Sequence, residues 1–210
     1  MANVKNNASA QETRRRLLRA AGEVFAEKGH RAATIREITR RTGTNIAAVN
    51  YHFKDKAELY AEVIRGIEAE VAAIVPTGEA LAGGGEERFR KCVRHIALAM
   101  LGRGQPPWER VLMARELAWP SRQMEALLDN VGGRINTVMA EVIGELTGRP
   151  RTDKVVGYLI ASVMGQCVYF LQHQTLLRRL YPQFKRDPSP ESIAEHIVEF
   201  SLAGVRAFAK

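Results

Sequence analysis

The sequence predicts an all-α chain: an N-terminal three-helix helix-turn-helix domain, then a larger helical ligand-binding and dimerisation domain, about nine helices in all. Three observations carry this. Apolar residues recur at helical spacing along most of the chain, while strand-like alternation is scarce. Residues 34–56, TIREITRRTGTNIAAVNYHFKDK, write two short helices across a glycine turn. Helical stretches end at glycine or proline stops such as Gly29, Pro76, Pro120 and the Gly148-Arg149-Pro150 run. The boundaries that follow are a flexible tail over 1–10, the helix-turn-helix domain over 11–56 and the helical body over 57–210.

The first helix is expected from Gln11 to Lys28, with Leu17, Leu18, Ala21, Val24 and Phe25 on one face and Gly29 as its stop. Thr34 caps the second, Glu37 stands in place to complete a capping box, and Ile35 and Ile38 supply the apolar face. Gly43 makes the turn. Asn45 caps the third helix, whose inward contacts are Val49 and Phe53. Asp55 caps a fourth, with Leu59, Tyr60, Val63, Ile64, Ile67, Val71 and Ile74 as its stripe. This helix connects the head to the body.

Thr77 to Gly85 is glycine-rich and reads as a flexible loop; its GGG has no Lys-Ser or Lys-Thr after it and is no phosphate loop. The body then gives helices over Glu86–Gly102, Pro107–Trp119, Ser121–Leu146, Asp153–Leu180 and Ser189–Ala209, with breaks at Gln105-Pro106-Pro107, Pro120, Gly148-Arg149-Pro150 and Pro182 to Pro190. The 153–180 helix is apolar nearly all round, and the last carries a broad stripe of Ile193, Ile197, Val198, Phe200, Leu202, Val205 and Phe208. One small body would struggle to bury both, so a homodimer through the helices near 153–180 and 189–209 is expected, with a monomer core as the alternative.

Charge is unevenly placed. The chain carries a formal +8, and through residue 56 twelve Lys and Arg stand against five acids, which leaves the remaining 154 residues nearly balanced. An excess confined to the head is where phosphate neutralisation would use it. No signal-peptide run opens the chain and no stretch approaches about 20 uninterrupted apolar residues, so no membrane span is expected and the cytoplasm is the expected compartment. Cys92 and Cys167 stand 75 residues apart without metal-type spacing and read as buried thiols; His30, His95, His173 and His196 make no metal pairing. No metal and no cofactor are expected.

If Val49 and Phe53 face inward, helical geometry turns Asn45, Ile46, Ala47 and Asn50 outward near the third helix's N-terminal end, the end such helices push into the major groove. Double-stranded DNA is therefore the expected partner. No nucleophile elbow, zinc-protease pair or dinucleotide fingerprint supports an enzyme. A non-specific electrostatic binder is the remaining reading. In the body, aromatics and isolated polar groups suggest a pocket for an aromatic or amphipathic small molecule near Arg115, Trp119, Gln166, Tyr169, Phe170 and His173, the alternative being ordinary core. Arg115 and Glu116, in an otherwise apolar helix, suggest an internal salt bridge. Arg14, Arg15 and Arg16 are either a solvated helix start or a basic arm near the minor groove.

The stretch AAGEVFAEKGHRAATIREITRRTGTNIAAVNYHFKDKAELY resembles the DNA-binding domain of TetR-type transcriptional repressors, in the leading helix, its Gly29 stop, the Thr34-to-Glu37 box, Tyr51-His52-Phe53 and Lys56. MARELAWPS and ASVMGQCVYF are similar to the ligand domain of the CecR-like branch. The resemblance implies a homodimer on a palindromic operator, released by a small-molecule effector. It implies bases for Arg36, Asn45, Ile46, Ala47 and Asn50, and phosphates for Thr34, Tyr51, His52 and Lys56. Core packing for Tyr51 and a hydrogen-bonded spacer role for His52 stand beside these. The family often has Tyr where this chain has Asn50, a departure that favours a base role there.

Overall fold

The computed structural model describes residues 2–102, 107–184 and 189–210, without the side chains of residues 2–7, 69 and 70. Among the described residues ten helices follow one another: α1 Ala2–Ala32, α2 Ile35–Thr42, α3 Ile46–Phe53, α4 Lys56–Ala72, α5 Gly85–Leu101, α6 Pro107–Ala118, α7 Arg122–Thr147, α8 Lys154–Gln172, α9 Gln174–Leu180 and α10 Pro190–Arg206. Single 3-10 turns occupy Gly78–Leu81 and Pro182–Phe184, and no strand occurs among the described residues.

The expected nine helices become ten because the 153–180 stretch divides at His173, whose φ of −110° and ψ of 21° leave the helical region. The chain stays hydrogen-bonded across the break, from His173 N to Tyr169 O at 2.9 Å and from Leu177 N to His173 O at 2.8 Å. That continuity explains why no glycine or proline marks it. α1 begins upstream of the expected Gln11, since no glycine or proline interrupts the sequence before Gly22. At Gly29 the chain leaves the helix (φ 76°, ψ 163°), as the stop there requires. The expected loop over 77–85 contains a 3-10 turn, and Gly85 opens α5. Of the expected proline-rich breaks, Gln105-Pro106 and residues 185–188 lie outside the described residues. Pro107 and Pro190 open α6 and α10, where the missing N–H costs nothing.

Two compact units result. One comprises Met1–Ala69 with Pro106–Met124, the other Glu70–Gln105 with Glu125–Lys210. α6 therefore belongs with α1–α3.

In the first unit Leu17, Ala21, Val24 and Phe25 of α1 are buried with Ile38, Val49, Phe53, Leu59 and Tyr60. α6 lies along α1 at two glycines. A Cβ on Gly22 would stand 2.4 Å from the Trp108 ring, and one on Gly29 would stand 2.9 Å from the Arg115 guanidinium. Only a residue without a side chain admits α6 this closely.

In the second unit α10 packs along α5, and charges close the seam. Arg206 grips Glu86 at 2.5 Å, and Arg90 and Arg94 pair with Glu199 and Glu195. Cys92 and Cys167 are buried and unbridged, and burial pushes both thiols up to about 12. α8 is long and apolar enough by composition to cross a membrane, yet only a third of that window is buried within the chain. Its outward residues include Tyr158, which is 69% exposed; on α10, Phe200 is 64% exposed.

Candidate functional site

The α2–turn–α3 segment is specified by local chemistry. Thr34 sits in extended backbone and its Oγ1 accepts from Glu37 N at 3.3 Å. The other half of the expected capping box is replaced: the Glu37 carboxylate meets Lys28 Nζ at 2.7 Å. Gly43 turns the chain in the left-handed region (φ 66°, ψ 25°), and Thr44 N returns to Thr39 O at 3.0 Å to satisfy a terminal carbonyl. Asn45 Oδ1 then accepts from Ala48 N at 2.9 Å, starting α3. Val49 and Phe53 are buried, as the spacing predicts.

Opposite that seam, Asn45, Ile46, Ala47 and Asn50 are exposed, Ile46 by 52%. Capping consumes the Asn45 oxygen and leaves its amide nitrogen available as a donor. Tyr51 is 80% exposed and stacks edge-on against half-buried His52, so it is not core packing. Arg36 is exposed on α2. Arg40, four residues on and also exposed, borders with Arg36, Thr34, Lys28 and Glu37 a cleft of about 440 Å³. Sequence reading passed over Arg40, although its i, i+4 relation to Arg36 puts both on one side of α2.

Much of the head's positive charge is used internally. Arg14 pairs with Glu62 and lies over the Phe53 ring, 5.2 Å from its centroid, tying α1 to α3 and α4. Arg16 donates to the Thr42 carbonyl and Arg15 meets Glu12 at 2.7 Å. Arg14 and Arg16 thus brace α1 against other elements, while Arg15 pairs within its own helix and stays solvated. Arg41 forks onto Glu27 at 3.0 and 2.6 Å, a hydrogen bond that holds the Glu27 carboxyl below its ordinary range. Lys56, expected on a phosphate, turns inward: its Nζ donates to the carbonyls of His30 at 2.9 Å, Arg31 at 3.4 Å and Ala33 at 3.0 Å. An ammonium has three protons, and three acceptors take them. The turn between α1 and α2 supplies carbonyls that no helix satisfies, and Lys56 answers them.

The expected ligand residues separate. Arg115 and Trp119 belong to the first unit and line a cleft of about 630 Å³ together with Gly29, Arg31, Glu116 and Arg122. The expected Arg115–Glu116 salt bridge is not made. Buried Glu116 accepts from the Tyr60 hydroxyl and, at 2.8 Å, from Ser121 N, while Arg115 donates to Glu27 O at 3.3 Å. Successive residues on a helix point in different directions, so each finds its own partner. Burial first, and the bond to Glu116 second, push the Tyr60 phenol well above its ordinary range.

Gln166, Tyr169, Phe170 and His173 lie at α8 and its C-terminal end, in the second unit, and line no part of that cleft. Gln166 Nε2 donates to Ser201 Oγ of α10 at 3.0 Å, Tyr169 contacts the Phe170 and His173 rings, and Phe170 meets His196. The Gln166–Ser201 and Phe170–His196 contacts join α8 to α10. Among the described residues no group of three His, Cys, Asp or Glu could hold a metal ion.

Residues 17–63 match the family model described as bacterial regulatory proteins, tetR family, and residues 85–205 match that of the C-terminal domain of the HTH-type transcriptional dual regulator CecR. Among relatives, the chain is 31% identical over 70 residues to the HTH-type transcriptional regulator AcrR of Shigella flexneri, covering 33% of each chain. It is 37% identical over 60 residues to the HTH-type transcriptional repressor BepR of Brucella suis, covering 29% of each. These matches span about a third or less of the relatives' length. A tetR-family regulatory protein from Rhodococcus RHA1 superposes with a TM-score of 0.66 at 24% identity, over 92% of this chain and 96% of that one. PfmR of Thermus thermophilus gives 0.63 at 19% identity, over 89% and 97%. The structural likenesses fix the fold, and the CecR-type match alone spans more than half the sequence. The chain therefore belongs to the TetR family of transcriptional regulators, which are not enzymes.

Proposed function

We propose that this protein is a ligand-responsive repressor that binds a palindromic DNA operator as a homodimer and is released by a small-molecule effector. The observation that carries the DNA reading is the outer face of α3. Asn45, Ile46, Ala47 and Asn50 project from a short helix whose opposite side, Val49 and Phe53, is locked in the core. A recognition helix held rigid from behind presents its N-terminal residues to base edges. Arg36 suits the O6 and N7 of guanine, Asn50 the N6 and N7 of adenine, and Ile46 and Ala47 a thymine methyl. Thr34, Tyr51 and His52 supply phosphate contacts, and Arg40 joins them. Lys56, spent on carbonyls, is left out of that set.

The exposed aromatics of α8 and α10 support the dimer. Tyr158 and Phe200 are mostly exposed on apolar helices, and a second copy is the partner whose matching face covers both. Two heads then meet half-sites about 34–36 Å apart, and effector binding favours a dimer whose heads no longer match that spacing. DNA in the cytoplasm is the setting this requires.

Selection of bound duplexes from a random library, at near-physiological salt, tests the proposal. Enrichment of a palindrome preferred about a thousandfold or more over random DNA supports it. Binding without enrichment that fades as salt rises favours the non-specific reading and rejects the operator.

A further inference from the structure

We propose that the cleft bordered by Arg31, Arg115, Trp119 and Arg122 binds an aromatic carboxylate, and that this site lies within the DNA-binding unit itself. All its lining residues fall in Met1–Ala69 and Pro106–Met124. Its volume of about 630 Å³ is that of a site for a drug-sized or metabolite-sized molecule.

Charge selects an anion. Arg31, Arg115 and Arg122 line the cleft, and none of the three makes an ion pair among the described residues. Lys28, also at its edge, is already paired with Glu37. The one carboxylate in the lining, Glu116, is buried and holds the Tyr60 hydroxyl and the Ser121 amide, so its acceptors are committed inward. Guanidinium forks match a planar carboxylate in two parallel hydrogen bonds.

Trp119 selects an aromatic body for that anion. An indole normally buries most of its surface, yet this one is 79% exposed on the lining of a cationic cleft. It offers a stacking face beside the arginines. Arg115 is preset for its part. One arm donates to the Glu27 carbonyl at 3.3 Å, and the guanidinium rests against Gly29, where a Cβ would stand 2.9 Å away. A side chain already fixed loses less freedom when a ligand arrives.

Position gives the site a consequence. Its α1 lining, Lys28 to Ala32, includes the turn whose carbonyls Lys56 holds, and Thr34, two residues beyond, starts α2. An occupant would press on the segment that sets α2 and α3. That effect on DNA rests on the DNA-binding reading; binding itself does not.

The test uses the full chain with 2-naphthoate as probe, by calorimetry and by quenching of Trp119 fluorescence. Binding of 2-naphthoate with quenching that Trp119→Phe abolishes is expected, weakened about tenfold or more by Arg115→Ala and by Arg122→Ala. Arg122 is exposed, so its variant should keep the parental melting temperature and separates ligand loss from misfolding. Neutral 2-naphthamide should not bind, and inorganic phosphate should not displace the acid. No binding up to millimolar probe, equal binding of the amide, displacement by phosphate, or affinity indifferent to both arginines would each overturn the proposal. Because binding is read without DNA, failure of the operator proposal leaves this result standing.

Discussion

The outer face of α3 and the outer faces of α8 and α10 are both open to solvent, with opposite chemistry. α3 and its N-cap show two Asn, an Ala, an Ile and a Tyr, over an inner side closed by Val49 and Phe53. α8 and α10 show Tyr158 and Phe200, on helices whose inner residues, such as Val156 and Ile197, are fully buried. Polar and small groups on a rigid short helix suit a polar partner read atom by atom. Large aromatics on long apolar helices suit a partner as apolar as themselves. Exposure alone says little; what is exposed, and on how firm a base, sets the kind of partner each face suits.

The firm base is the easiest part to break. Phe53→Ala removes a ring that is buried and sits under Arg14, and should cost about 3–5 kcal/mol, seen as a lowered denaturation midpoint with DNA binding lost alongside. A paired change of Tyr158 and Phe200 to Glu should weaken self-association by about 2 kcal/mol or more while leaving helix content intact, measured by sedimentation. Asn50→Ala should lower preference for the selected operator by about 1–3 kcal/mol with little loss on random duplex, read by competition binding. Thr34→Ala removes the α2 cap and should cost about 1 kcal/mol in thermal unfolding.

A further prediction concerns pH. Burial first, and the Lys56 charge second, lower the His30 pKa, so the unfolded chain takes up this proton more readily than the folded one. Stability should therefore fall as pH drops through the unfolded value of about 6.5, and His30→Gln should flatten that dependence in denaturant titrations.

The α2–α3 segment was readable because its determinants are local: a cap, a left-handed glycine, a second cap and a four-residue apolar spacing all sit within twenty residues. The same reading placed Lys56 on a phosphate because spacing cannot say which way a long side chain turns; its carbonyl partners lie 23 to 26 residues earlier. Glu116 was assigned to its neighbour Arg115, yet it bonds Tyr60, 56 residues away. The expected pocket divided for a related reason. α6 joins α1 by fitting Trp108 and Arg115 against Gly22 and Gly29, a long-range fit with no periodic signal, so Arg115 and Trp119 went with the head and the α8 residues did not. The break at His173 escaped because hydrogen bonds bridge it.

If α3 meets DNA while α8 and α10 meet a second copy, site-specific binding needs both faces. The most direct test is to measure the affinity of the Tyr158→Glu, Phe200→Glu variant for the selected palindrome against a single half-site. Expected is a monomer with an intact head that binds palindrome and half-site alike, without the preference expected of the parent. A monomeric variant that keeps the parent's full preference for the palindrome would contradict it.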